Sequence, residues 1–224
     1  MAKVEKHAHS VLFDLDGTFA DTAPDLGTAL NRLRADIDLP PLPLTHLRPH
    51  TSSGVRGMLG AGLNILPGDA RYAEFYQRYL RFYSAALCVH TTIFPGIDEL
   101  VSGLETRGIP WGIITNKTQH FTLPLLEQLG YAKRADCIVS GDSSPRAKPA
   151  PHPMHLACAL IARGPAHCLY VGDDLRDIQA GRAVGMPTIA VRYGYLGNSG
   201  PIETWGADHI VENAADIAVL AGIA

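Results

Sequence analysis

The sequence has few charged residues, little excess of either charge and no long hydrophobic stretch, and each of these absences excludes a class of protein. Charged residues make up 18% of the 224 residues and apolar residues 46%, which indicates a folded chain rather than an intrinsically disordered one. The formal net charge of −3 argues against a nucleic-acid-binding protein, which would normally carry a basic stripe. No apolar run reaches about 18 residues, so we expect no membrane span.

Cysteine is also scarce, and its spacing predicts neither a zinc site nor a disulfide framework. The four cysteines lack short paired spacings, and we expect free thiols at Cys88, Cys137, Cys158 and Cys168. Near the N-terminus the only apolar stretch, residues 11–13, is interrupted by Asp14, which is not the pattern of a secretory signal peptide. The sequence therefore predicts a cytoplasmic protein.

Short apolar runs alternate with helical patterns along most of the chain. The runs lack polar alternation, which is typical of strands covered on both faces, and they are residues 11–15, 111–115, 137–140, 168–172 and 188–191, with a weaker one at 209–211. Helical spacing of apolar residues lies between them, at 97–107, 121–129, 154–162 and 175–184. This alternation predicts an α/β fold with a Rossmann-like, mainly parallel sheet.

One segment departs from the alternation, because residues 21–90 contain helical patterns and no convincing strand. A helix start is indicated at residues 21–25, where proline stands in the first turn. Residues 71–87 form a strongly amphipathic pattern with aromatic side chains mainly on one side, which favours core packing. An all-helical insert after the first strand predicts a cap domain of residues 21–90 on a core domain of residues 1–20 and 91–224.

Two carboxylates, Asp14 and Asp16, follow the first predicted strand and precede Gly17 and Thr18. Residues i and i+2 of an extended chain point to the same side, so both acids can face one substrate at the carboxyl end of the sheet. The alternative is a hairpin, since Asp-Gly is a strong turn signal. The motif alone leaves both interpretations open.

Polar residues also follow two later segments. Thr115 and Asn116 end the strand at 111–115 and can donate hydrogen bonds to an oxyanion, although a polar turn with a helix cap explains them equally well. Lys148 is one of only five lysines and lies in a proline-rich stretch, 146–153, that is held extended. Its alternative is a solvated surface lysine.

A second acidic strand end contains Asp173 and Asp174, with Asp177 one helical turn further on. Helix capping explains one of these acids but not why a second acidic strand end accompanies the first. If the strand ends converge, the acids crowd one crevice opposed chiefly by Lys148, and such like charges do not all stay ionised unaided. A hard divalent cation such as Mg²⁺ suits an oxygen-rich site of this kind and can bridge to a substrate phosphate.

The same arrangement predicts phosphoryl transfer to a carboxylate nucleophile. In it, Lys148 would neutralise a phosphate oxygen, and Thr115 and Asn116 would orient the phosphoryl group. The expected partner is a small-molecule phosphate ester, with no nucleic acid and no membrane, and no oligomeric state follows from the sequence.

Four motifs have now been described, and they contain in chain order Asp14 and Asp16, Thr115 and Asn116, Lys148, and residues 173–177. In this order they resemble the motifs of the haloacid dehalogenase superfamily, specifically its phosphatases with a helical cap after the first strand. The resemblance covers essentially the whole chain. It implies that Asp14 is the nucleophile that becomes phosphorylated, and that Asp16 protonates the leaving alcohol and then activates water. It also implies that Asp14, the backbone carbonyl of Asp16, and Asp173 hold Mg²⁺, with Asp174 and Asp177 supporting the metal site.

Within the superfamily the chain resembles the phosphoglycolate phosphatases through residues 21–26, and N-acetylmuramate 6-phosphate phosphatases through segments such as Tyr193-Gly-Tyr. The resemblance implies a phosphoglycolate phosphatase-type enzyme, with the muramic acid ester as the alternative substrate. The candidates for substrate contacts are Thr18 and Arg56. Arg56 ends a predicted loop, residues 51–56, and its planar guanidinium suits a substrate carboxylate.

Three other functions share part of this pattern. A phosphosugar mutase keeps all four motifs and remains an alternative. Dehalogenases of the same fold lack the acid two residues after the nucleophile, so Asp16 argues against them. Receiver domains of signalling systems also use an acidic pair, a phosphorylated aspartate, a threonine and a lysine, but their acidic pair comes first and their chains are much shorter.

Overall fold

The computed structural model describes residues 10–223, which form an α/β structure. The strands are β1 Ser10–Phe13, β2 Ala20–Asp21, β3 Thr92–Ile93, β4 Trp111–Ile114, β5 Cys137–Val139, β6 Cys168–Gly172, β7 Thr188–Val191 and β8 His209–Val211. The α-helices are α1 Ala23–Ala35, α2 Leu44–Leu47, α3 Gly54–Leu63, α4 Tyr72–Ser84, α5 Ile97–Thr106, α6 Gln119–Leu129, α7 His152–Leu160, α8 Leu175–Ala183 and α9 Ala214–Leu220. Residues 1–9 lie outside the described residues. They include the start of the expected core domain and the N-terminal segment that was compared with a signal peptide.

Six strands form one parallel sheet in the order β5–β4–β1–β6–β7–β8. Because successive strand residues face opposite sides, Val11 and Phe13 pack with α5, α6 and α9, whereas Leu12 packs on the other face with α7 and α8. Both faces of the sheet are therefore buried. This agrees with the apolar runs in the sequence, which do not alternate with polar residues. The predicted α/β fold with a parallel sheet is confirmed, and no helix within residues 10–223 is both long and apolar enough to cross a bilayer.

Helices α1–α4 occupy the part of the chain between β2 and β3. These two strands form an antiparallel pair of only two residues each, which is too short to show a periodicity in the sequence. The prediction of a loop at residues 51–56 is wrong. A 3₁₀ helix, Arg48–Ser53, leads directly into α3, and Arg56 lies in the first turn of α3. Gly54 has a φ of 57° at this junction, a conformation that glycine adopts without steric cost.

Asp25 joins the start of this helical segment to its end. Its carboxylate is 1% exposed and accepts hydrogen bonds from the backbone N–H groups of Val89, His90 and Thr91, at 2.8 to 3.1 Å. The Thr91 hydroxyl donates a further bond of 2.7 Å. One buried carboxylate thus satisfies the backbone where the chain returns from α4 towards β3, including the buried N–H of Thr91.

We expect Asp25→Ala to lower the free energy of unfolding by about 2–4 kcal/mol, because it leaves the buried N–H of Thr91 and two partly buried N–H groups without an acceptor. Urea denaturation measures the change. Asp36→Ala at the end of the same helix is the matched control. Asp36 pairs with Arg78 on the surface, where such a pair contributes about 0–1 kcal/mol. Equal losses for both variants would show that the Asp25 hydrogen bonds do not hold the segment together.

Candidate active site

The polar residues singled out in the sequence lie at the carboxyl edge of the sheet. Asp14 follows β1, Thr115 follows β4 and Asp173 follows β6, and these three strands are neighbours. In an open parallel sheet this edge is where ligands bind. The loop after β5 brings Lys148 to the same place, as its contacts with the strand ends show.

The Lys148 ammonium is buried at the centre of this site. Its Nζ atom donates to the Ile114 carbonyl at 2.8 Å, to the Tyr170 hydroxyl at 2.8 Å and to the Asp177 carboxylate at 2.6 Å. It also lies 2.8 Å from Asp14 Oδ1. An ammonium has three N–H donors, so these four oxygens share them. The Lys148 charge attracts the carboxylates of both Asp14 and Asp177.

Asn116 fixes the backbone of Lys148. Its Nδ2 donates to the Lys148 carbonyl and its Oδ1 accepts from the Lys148 N–H, both at 2.9 Å. Both ends of the Asn116 amide are thus occupied by the lysine rather than directed at a ligand. The Thr115 hydroxyl accepts a hydrogen bond from the N–H of Lys117 at 3.1 Å, which leaves its own proton to donate.

Three buried acids, Asp14, Asp173 and Asp177, each place an oxygen within 4.8 Å of the others. Burial raises the pKa of Asp14 to about 7, with the Lys148 charge opposing the rise. Burial, followed by the charges of Asp14 and Asp177, raises the pKa of Asp173 well above its ordinary value. Burial would lower the pKa of Lys148, but the two neighbouring carboxylates raise it. A hard divalent cation with oxygen ligands would offset this crowding, so the residues fit Mg²⁺.

The two remaining acids of the second acidic motif differ in their surroundings. Asp174 caps α8, accepts from the N–H of Arg176 at 2.9 Å and pairs with its guanidinium at 2.8 Å. Burial acts against the change, but these bonds lower the pKa of Asp174. Asp177 completes the capping box by accepting from the N–H of Asp174, while its other oxygen contacts Lys148. Asp177 therefore belongs to the three-acid cluster, whereas Asp174 faces Arg176.

Thr18 is fully buried and donates to Asp173 Oδ1 at 3.0 Å. The N–H of Tyr195 donates to the other oxygen of Asp173 at 2.8 Å. The structure thus places Thr18 against an acid of the cluster and not on the open surface of the site. Arg176 extends in the other direction, where it donates to the Ser52 carbonyl at 2.6 Å and links α8 to the inserted helical segment.

Asp16 has a lysine partner that sequence reasoning missed. Asp16 Oδ1 accepts from the Thr22 hydroxyl at 2.6 Å and lies 3.0 Å from Lys117 Nζ. The same ammonium lies 4.9 Å from the ring centroid of Tyr83. The available signal was that Lys117 directly follows Thr115 and Asn116 and is one of five lysines.

A chamber of about 290 Å³ opens between Asp14 and Asp16 at the sheet edge and the helices of residues 23–84. Its lining includes Arg56 and, from α4, tyrosine and leucine side chains. The structure therefore brings the catalytic candidates Asp14, Asp16, Thr115, Asn116 and Lys148 together with Arg56 around one space, which is the candidate active site.

Comparison with known proteins identifies the family. Residues 11–191 match the model of the haloacid dehalogenase-like hydrolases. The chain is 38% identical over 208 residues to N-acetylmuramic acid 6-phosphate phosphatase of Pseudomonas aeruginosa, covering 93% of this chain and 92% of the relative. It is 40% identical over 204 residues to phosphoglycolate phosphatase of Xanthomonas campestris, covering 91% of each chain.

A solved structure is similar over the same length. The crystal structure of a protein described as a predicted phosphoglycolate phosphatase from Haemophilus somnus superposes with a TM-score of 0.85 at 25% identity, covering 96% of this chain and 99% of that one. The resemblance expected from the four motifs is confirmed. The chain belongs to the haloacid dehalogenase-like hydrolase family, and its curated relatives are phosphatases of that family.

Proposed function

We propose that this hydrolase cleaves a small-molecule phosphate monoester through a phosphoaspartate at Asp14, with Mg²⁺ as cofactor. The observation that carries the proposal is the environment of Asp14 Oδ1. This buried oxygen lies 2.8 Å from the Lys148 ammonium and borders the chamber. The ammonium can therefore offset the negative charge at the point where Asp14 meets the phosphoryl group. The names of the relatives make 2-phosphoglycolate and N-acetylmuramic acid 6-phosphate the candidate substrates.

The metal would be held by Asp14, Asp173 and the backbone carbonyl of Asp16, with Asp177 supporting the site. The three-acid cluster supports this assignment, because its carboxylates crowd one another in the interior. When bound, Mg²⁺ supplies positive charge that stabilises the phosphoryl oxygens. Asp174 supports the site through the capping box that orients Asp177.

In the first step, an oxygen of Asp14 attacks phosphorus as the bond between phosphorus and the ester oxygen breaks. The leaving oxygen keeps the bonding electron pair and takes a proton from the carboxylic acid of Asp16. Lys148 offsets the negative charge of the phosphoryl group, and the Thr115 hydroxyl donates a hydrogen bond to it. Asn116 is a positioning residue, since both of its bonds fix the Lys148 backbone.

In the second step, water attacks the phosphorus of the phosphoaspartate. Asp16, now a carboxylate, takes the proton of the water, and the bond between phosphorus and the Asp14 oxygen breaks. Inorganic phosphate and the original Asp14 carboxylate result. The Thr22 hydroxyl and the Lys117 ammonium hold Asp16 at the sheet edge between the two steps.

We further propose that residues 21–90 act as a cap on a core of residues 1–20 and 91–224. The connections support this division, because the short pair β2–β3 stands where the chain leaves and re-enters the core. The chamber supports it as well, because its walls come from both parts. On this division the core carries the phosphoryl chemistry and the cap contacts the alcohol part of the ester.

We expect Asp14→Asn to lower kcat at least about 10³-fold without unfolding the protein, because an amide cannot attack phosphorus. Sustained release of inorganic phosphate measures turnover and also separates a phosphatase from a phosphosugar mutase. Asp69→Asn, at a surface acid paired with Arg71, is the control and should retain activity. Activity above a few per cent in folded Asp14→Asn protein would contradict the nucleophile assignment.

Removal of divalent cations with a chelator should abolish activity, and Mg²⁺ should restore it. Mg²⁺ should also raise the melting temperature of the chelator-treated protein by about 5–10 °C at roughly 100 times its Kd, because it binds the folded state. Asp173→Asn should lose this thermal shift, and Asp69→Asn should keep it. Full activity after exhaustive chelation would rule out the metal site.

Asp16→Asn should reduce turnover of an alkyl phosphate by about 10²–10⁴-fold, because the leaving alkoxide then receives no proton. With p-nitrophenyl phosphate, whose leaving group needs little protonation, the first step should proceed and the second should fail. Intact-protein mass spectrometry should therefore show phosphorylated protein with the aryl ester. Normal turnover of both esters by this variant would refute the acid–base assignment.

A further inference from the structure

We propose that the chamber receives an alcohol of monosaccharide size whose ring lies against the tyrosines of α4, so that a sugar phosphate is preferred over 2-phosphoglycolate. The inference rests on the proposed phosphatase function and concerns only the part of the ester that leaves. It reverses the order of substrates that the resemblance of residues 21–26 implied.

The size of the chamber supports a larger alcohol. Its volume of about 290 Å³ approaches the range of about 300–1,000 Å³ found for clefts that bury drug-sized ligands. The phosphoryl group occupies only the end that contains Asp14 and Lys148. A two-carbon acid attached to it would leave the outer walls, including Tyr72 and Tyr76, facing water.

The chemistry of the wall suits a sugar ring. Tyr72, Tyr76, Tyr79 and Tyr83 recur at helical spacing along α4 and all line the chamber. Phenol rings offer an apolar face and a polar edge. A pyranose has the matching character, since its C–H groups form an apolar face and its hydroxyl groups surround the rim. The two outer rings, of Tyr72 and Tyr76, lie with their centroids 5.9 Å apart and form a continuous aromatic surface.

The inner end of this wall is polar. Tyr79 donates to the Leu26 carbonyl at 3.0 Å, and Tyr83, which is only 2% exposed, lies beside the Lys117 ammonium. Burial raises the pKa of Tyr83 to about 12, with the nearby Lys117 charge opposing the rise, so the hydroxyl keeps its proton. The protonated Tyr83 hydroxyl, together with Asp16 and Lys117, offers polar contacts to a substrate hydroxyl at this end of the chamber.

The positions of Lys117 and Arg56 also favour a larger alcohol. At the reacting end Lys117 is already paired with Asp16, at 3.0 Å. Arg56 of α3 is exposed and lies close enough to Tyr72 for its charge to act on that phenol. Within residues 10–223 Arg56 has no ion-pair partner. A substrate carboxylate bound there would lie next to the ring of Tyr72.

The test compares kcat/KM for 2-phosphoglycolate, glucose 6-phosphate, N-acetylmuramic acid 6-phosphate and p-nitrophenyl phosphate, in the presence of Mg²⁺. We expect at least one sugar phosphate to exceed 2-phosphoglycolate by about tenfold or more. If 2-phosphoglycolate is hydrolysed as well as or better than both sugar phosphates, the inference is wrong and the phosphatase function stands. If no ester releases phosphate, the proposed function itself fails.

Variants on the chamber wall locate the selectivity. Tyr76→Ala should lower kcat/KM for the preferred sugar phosphate about tenfold and leave 2-phosphoglycolate within about twofold, while Tyr76→Phe should retain most of the activity. Arg56→Ala should weaken the carboxylate-bearing sugar ester more than glucose 6-phosphate. Arg81→Ala, at an exposed arginine of α4 that does not line the chamber, is the control. Equal losses on all esters in Tyr76→Ala, or none on the sugar phosphates, would overturn the inference.

Discussion

The Lys148 ammonium determines how the active site is assembled. It is 2% exposed, and burying such a charge is costly unless it is paired and hydrogen-bonded. Its three N–H groups reach Ile114 at the end of β4, Tyr170 in β6 and Asp177 in α8, and so they join three elements at one point. The same ammonium lies 2.8 Å from Asp14 Oδ1. The lysine that joins these elements thus also places its charge beside the proposed nucleophile.

The cluster around this lysine is less favourable for stability than for chemistry. Three carboxylates crowd together, only two of them beside the buried Lys148 ammonium, and burial raises the pKa of Asp14 to about 7. A raised carboxyl pKa means that the folded protein holds the proton more tightly than the unfolded chain does. The resulting stabilisation is complete below about pH 3.8 and is lost as the pH rises towards 7, in the absence of a cation. A bound cation would replace the lost proton, which couples metal binding to the stability of the folded site.

The sequence predicted the sheet and the convergence of the motifs for a physical reason. Parallel strands have their carboxyl ends on one edge, so polar residues that follow Phe13, Ile114 and Gly172 necessarily meet. The helical character of the segment after β2 also followed from its periodicity. The two-residue pair β2–β3 could not be predicted, since a period of two needs more residues to be visible. The glycine and serines before Arg56 predict a loop, yet Gly54 starts the helix α3 at this point.

Several site contacts depend on tertiary geometry that no local pattern contains. Tyr170 stands in a run of strand residues and looks like ordinary core, but its hydroxyl accepts a hydrogen bond from Lys148. Asn116 is oriented towards a lysine 32 residues away and not towards a ligand. The difference between Asp174 and Asp177 arises from the capping box of α8, in which the first acid turns to Arg176 and the second to the cluster. Sequence spacing placed these acids near the site but could not assign their directions.

On the proposed function, α4 would separate recognition of the alcohol from the chemistry at the sheet edge. Phe75 packs in the main hydrophobic core and Tyr79 is buried in the chamber wall, whereas Tyr72 and Tyr76 are half-exposed there. A substitution at either outer tyrosine changes a surface that neither the Lys148 cluster nor the Asp25 hydrogen bonds depend on. The groups of the Lys148 cluster, in contrast, contact one another at the strand ends. On the proposed function, the choice of alcohol could therefore change through a few side chains of α4 without altering the groups proposed for phosphoryl transfer.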